Sequence, residues 1–138
     1  MLGVALALAV ADPVPPTPAA QASVAAAVAV VRSYYAAIAH HDYVRAWHIW
    51  SGGHGLAAFR KGYAHTACVA VFPQPPFRAE PGAGNVYATI NVVVRARLDN
   101  GARQRFAGAY VLHRVNDVPG SSAADRRWHI VSAHLKAQ

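Results

Sequence analysis

From Gln21 to His40 the apolar positions Val24, Val28, Val31, Tyr35 and Ile38 recur at three- and four-residue steps. That spacing marks one buried face of a helix, and the alanines between them have good helix propensity. Ser23 is placed to cap its start, and Asp42 to cap a second helix. The second helix, Tyr43 to Trp50, sets Tyr43, Trp47 and Trp50 on one side. Ser51-Gly52-Gly53-His54-Gly55 breaks it. A third helix is expected from Leu56 to about Thr66, with Phe59 and Tyr63 one turn apart.

The period then changes to two. Ala67 to Phe72 reads as a short strand ending at Pro73, and Phe77 to Glu80 as another after the Pro75-Pro76 loop. From Val86 to Leu98 the alternation is clean. Val86, Ala88, Ile90, Val92, Val94, Ala96 and Leu98 face one way; Tyr87, Thr89, Asn91, Val93, Arg95 and Arg97 face the other. Asp99-Asn100-Gly101 is a hairpin turn signal. A two-residue loop would set Leu98 against Arg103 and mix the faces. A three-residue loop, with Gly101 in the left-handed conformation, pairs 98 with 102, 94 with 106 and 90 with 110. It puts Phe106, Tyr110 and Leu112 on the apolar face and is the register expected. Asn116 to Arg126 is polar and reads as a loop. Arg127 to Leu135 reads as the last strand, with Trp128 and Ile130 inward.

The chain has 138 residues, 54% hydrophobic and 14% charged. That is one small globular domain rather than a disordered tail. One Cys excludes a disulfide framework and a Cys-rich zinc module. The N-terminal end differs in kind. Leu2 to Ala11 has the length of a signal-peptide apolar core and is too short to span a bilayer. Ala9-Val10-Ala11 supplies the small residues of a cleavage site. Residues 12–20, DPVPPTPAA, form an extended proline-rich linker. The expected organisation is a signal-like segment 1–11, a linker 12–20 and a domain 21–138. The expected location is exported, periplasmic or secreted.

Helices followed by long antiparallel strands give an α+β order. The expected architecture is three N-terminal helices packed on a strongly curved, mostly antiparallel sheet that forms a cone. VVRSYYAAIAHHDYVRAWHIWS, FRKGYAHTACVAV, VYATINVVVRARLDNGARQRFAGAYVLHRV and RRWHIVSAHL together resemble the nuclear-transport-factor-2-like superfamily, in particular small exported bacterial members without an assigned activity. The resemblance covers residues 22–138. It implies a conical pocket between helices and sheet, often a dimer through the sheet, and a fold rather than a reaction.

Enzymes of that superfamily place an Asp, or an Asp–His pair, inside the cone as general base. The six acidic residues here are Asp12, Asp42, Glu80, Asp99, Asp117 and Asp125. All fall in the linker, a helix cap, turns or loops, so that dyad has no counterpart. His134 shares parity with Trp128 and Ile130, as does Ser132, which turns both toward the interior where Tyr35 could reach them. A hydrogen-bonded histidine near a strand end is the plainer reading of His134. No His-x-His, His-Glu-x-x-His or Cys-x-x-Cys occurs. His65 and Cys68 make an uncompleted half-site, and Cys68 reads as a small buried thiol. No metal and no cofactor are expected.

The formal net charge is +7. In the expected register Arg97 lies opposite Arg103, and Arg95 opposite Arg105. Four guanidinium groups at one hairpin tip suit anions, for Arg binds phosphate and carboxylate bidentately. Candidate partners are an anionic envelope surface or an acidic protein. Nucleic acid is not expected, because no aromatic platform interleaves with the arginines. The remaining outward residues are small enough to meet a second copy in a homodimer through the sheet. The leading functional reading is a non-catalytic envelope binding or interaction module holding a small apolar ligand, with Tyr35, Trp47, Phe106, Tyr110, Trp128, Ser132 and His134 as pocket candidates. Its rivals are an isomerase- or lyase-like enzyme using a pocket His as base, and a structural protein-interaction domain.

Overall fold

The computed structural model describes residues 23–116 and 118–138. The signal-like segment and the linker lie outside the described residues. Three helices come first: α1 (Val24–Ala39), α2 (Tyr43–Ile49) and α3 (Leu56–Gly62). Five strands follow: β1 (Thr66–Pro73), β2 (Arg78–Pro81), β3 (Asn85–Leu98), β4 (Arg103–Val115) and β5 (His129–Ala137). The protein is α+β. Its sheet is antiparallel and open, in the order β1-β3-β4-β5, with β2 on the same edge of β3 as β1.

The helix boundaries follow from their caps. The Ser23 hydroxyl accepts from the Ala26 amide at 3.3 Å, and the Asp42 carboxylate from the Arg45 amide at 3.2 Å. Each satisfies an amide that has no partner within its helix. At the end of α1 the Asp42 amide reaches back to Ala37 O and the His41 amide to Ile38 O, while His41 adopts a left-handed φ of 58°. This is a Schellman ending with histidine where glycine is usual. Helix α3 is shorter than its pattern suggested. The Tyr63 amide turns back to Arg60 O, and Thr66 already starts β1.

The β3–β4 hairpin organises the sheet. Gly101, at φ 84°, donates to Leu98 O, and Leu98 donates to Ala102 O. The turn is therefore three residues long. It pairs Val94 with Phe106, Val92 with Gly108 and Ile90 with Tyr110, as expected. Val86, Ala88, Ile90, Val92 and Val94 are buried, as are Tyr110 and Leu112. They share one core cluster with Val28, Val31, Tyr34, Tyr35 and Ile38 of α1 and with Trp128 and Ile130. Burying each aliphatic side chain contributes about 1.5–3 kcal/mol.

The last strand departs from expectation. Val111 pairs with Ser132 but Leu112 pairs with Ile130, so Val131 is an extra residue in β5. Such a bulge reverses the in–out parity beyond it. Ala133 and Leu135 turn to the core. Ser132 and His134 turn with Val111 and Ala109 to the opposite face, and His134 is exposed. Strand β1 carries a similar irregularity between Thr66 and Cys68. Cys68, expected to be buried, is exposed beside Arg97.

Arg114 is the one charged side chain buried among the described residues, at 2% exposure. Its Nε donates to Val115 O at 3.2 Å, and its Nη1 has no partner. Among the described residues no carboxylate pairs with this guanidinium, so its lost hydration is repaid only in part, by that one hydrogen bond. Arg114→Met should therefore leave stability unchanged or raise it, by about 1–4 kcal/mol, as read from urea unfolding. Gly108 marks the opposite extreme. A Cβ there would lie 1.8 Å from His134 O, a backbone atom of the neighbouring strand. Gly108→Ala must push β5 away. The expected loss is about 3 kcal/mol or more, with a lower unfolding midpoint; an unchanged midpoint would show that the strands are not so closely apposed.

Candidate functional site

The alternating pattern of β3 and β4 sends large side chains toward the helices, but they do not fill the space. A cavity of ≈ 760 Å³ remains. Tyr34 and Tyr35 of α1 contribute to its wall, with Trp47 and Trp50 from α2 and its end, and Phe59 and Tyr63 from α3 and the turn after it. The sheet contributes Val94, Ala96, Leu98, Phe106 and Leu135. The wall is largely apolar. His54, Lys61 and His65, all exposed, stand at its edge.

Two contacts place the tryptophans. The Trp47 indole donates to His54 O at 2.7 Å, which folds the glycine-rich loop back over α2. Trp50 bridges to Ile130, and the Ser51 amide donates to Ile130 O at 2.9 Å. The end of α2 is thus tied to β5. The buried Trp50 N–H has no acceptor in hydrogen-bonding geometry, although it lies near enough to Tyr34 to favour its anion slightly.

Beneath the aromatic wall lies a cluster of phenols. Tyr35 and Tyr110 share a hydroxyl–hydroxyl hydrogen bond. Tyr34 and Tyr63 share another at 3.0 Å. The Tyr34 ring meets those of Tyr35, Tyr110 and Phe59 edge-on, with centroids 5.1, 6.0 and 6.2 Å apart, the geometry that aromatic quadrupoles prefer. Burial raises the pKa of all four phenols, since a phenolate there would lose its hydration. Repulsion between neighbouring phenolates adds to the rise at Tyr34 and Tyr110. The cluster is therefore neutral at physiological pH, able to donate or accept a hydrogen bond but not to act as an anion.

The expected site residues separate. Tyr35, Trp47 and Phe106 line this cavity. Tyr110 sits behind it, bonded to Tyr35. Trp128 lies on a different cavity of ≈ 700 Å³, with His48, Ile49, Arg126, Arg127 and His129. Ser132 and His134 are on the far face of the sheet, so a base at His134 is removed from the hollow. Tyr34, Tyr63 and Trp50 are members that the sequence reading did not select. Tyr63 was visible only as the helical partner of Phe59, and nothing local linked it to Tyr34, 29 residues away. Among the described acids, Asp42, Glu80, Asp99 and Asp125 are all exposed; Asp12 and Asp117 lie outside the described residues. No group of three His, Cys, Asp or Glu among the described residues could hold a metal, and no described helix is long and apolar enough to cross a membrane.

The phenol cluster has a measurable consequence. Above the ordinary phenol value of 10.0, the unfolded chain loses these protons while the folded protein keeps them. Stability is thus fully present below that pH and falls as pH rises, by about 1.4 kcal/mol per pH unit for each phenol. Alkaline denaturant titrations should show this slope, and phenolate absorbance from these residues should appear together with unfolding. Conversion of Tyr34, Tyr35, Tyr63 and Tyr110 to Phe should flatten the slope; an unchanged slope would disprove their part in it. Comparison of the chain with protein-family models, with curated proteins and with solved structures finds no match.

Proposed function

We propose that the domain is a non-catalytic binding module, exported to the cell envelope, that holds a small and largely apolar ligand between its helices and its sheet. The observation that carries this reading is the aromatic-walled cavity of ≈ 760 Å³, which lies in the range that encloses drug-sized ligands. In this reading the sheet and helices form the cone of the nuclear-transport-factor-2-like fold, as the resemblance of residues 22–138 implies. Trp47, Phe106 and Leu98 would supply apolar contact. The neutral phenols on the wall favour a ligand with a hydrogen-bond acceptor, because leaving a buried donor unpaired costs about 1–3 kcal/mol.

The test uses an uncharged solvatochromic dye, Nile red, so that the basic surface does not contribute. Uptake should saturate at one site and quench tryptophan emission, since Trp47 and Trp50 are on the wall. Ala96→Phe projects a ring into the hollow and should weaken uptake on the order of tenfold or more, without altering the circular dichroism spectrum. Dye uptake that ignores Ala96→Phe, or that never saturates, would refute the ligand reading.

A further inference from the structure

The face of the sheet away from the core carries a second feature that the cavity does not use. The register sets Arg97 directly opposite Arg103 and Arg95 opposite Arg105. All four are exposed. Strand spacing makes this a rectangle of guanidinium stems about 5 Å across the strands and about 7 Å along them. Lys136 extends it, because it pairs with Ala107, the next outward residue of β4. Phe72 borders it, 46% exposed, with the Arg95 guanidinium 5.5 Å from its ring centroid. Ala70, opposite Arg95, leaves no side chain rising above the array.

Like charges directly opposite each other on adjacent strands destabilise a sheet unless an anion compensates them. Among the described residues no carboxylate pairs with these arginines. Glu80 shares the face but pairs with Tyr87, several residues down β3. Asp99, in the turn, lies 3.9 Å from His65 instead. Neither cavity reaches the array.

We infer that this face docks on the surface of an anionic phospholipid bilayer. A two-by-two set of exposed guanidinium groups on one sheet face meets the phosphate-dense surface of a bilayer with several forks, each taking phosphate oxygens bidentately. The exposed Phe72 suits the boundary between headgroups and acyl chains, where amphipathic and aromatic side chains settle. An acidic protein would need carboxylates projecting in register with all four arginines, and no groove is present to guide it. A second copy stacked squarely on the array would bring eight arginines together, which repulsion forbids.

The experiment is flotation of the full chain with two kinds of vesicle at low salt: phosphatidylcholine alone, and phosphatidylcholine mixed equally with phosphatidylglycerol. The protein should bind only the anionic vesicles, and added salt should release it. Replacing Arg95, Arg97, Arg103 and Arg105 by Gln should weaken binding on the order of several hundredfold. Should that variant fail to fold, the pair R97Q/R103Q should weaken it on the order of thirtyfold. Equal binding to neutral vesicles, or unchanged binding by the folded variants, overturns the inference. So does tighter binding to polyglutamate than to vesicles, which would mark a protein partner. Self-association at low salt that the variants abolish would likewise mark a second copy as the occupant.

Discussion

The left-handed turn at Gly101 is the constraint on which the rest of the molecule depends. By closing a three-residue loop it sets a single register for two strands of more than a dozen residues each. Because side chains alternate with period two, a slip of one residue on either strand would exchange the faces. The same turn therefore decides two things at once. It assembles the apolar face that shares a core with α1, and it crowds four arginines on the opposite side. Neither surface can be altered in register without losing the other.

A second constraint acts at β5. Gly108 lets the backbone of His134 and Leu135 approach β4 more closely than any side chain would permit. Three residues away on β4, the ladder takes up the extra residue Val131. The bulge sends Leu135 to the cavity wall and His134 away from it. Had β5 run regularly, an imidazole would have faced the phenols in place of a leucine, and the hollow would have acquired a titratable group suited to proton transfer. The apolar character of that wall rests on one inserted residue.

The chemistry of the hollow follows from burial. Four phenols paired as Tyr34–Tyr63 and Tyr35–Tyr110 share one hydroxyl hydrogen bond in each pair, which offsets part of the cost of burying them. Their raised pKa values keep them neutral, so the site offers hydrogen bonds without charge. Across the sheet the situation differs: four arginines are exposed, in company with exposed aromatic rings at Phe72 and Tyr87. The molecule thus presents two surfaces of different character, a largely apolar aromatic hollow and a cationic patch, on opposite faces of one sheet.

Local pattern was enough for the α+β class, for both helix caps, for the inward set Val86 to Val94 and for the hairpin register. Each depends on residues close in sequence: a cap on an amide three residues on, a strand face on strict alternation, a register on one turn. The facing arginines followed from that register. What sequence alone could not give was the fate of β5, because a bulge is a property of two strands and β4 had first to be in place. The same holds for the cavity. Tyr34 meets Tyr63, and Tyr35 meets Tyr110, across 29 and 75 residues. Whether their side chains fill a space or leave one is decided only when distant segments pack, since volume is a property of the whole enclosure and not of any single element.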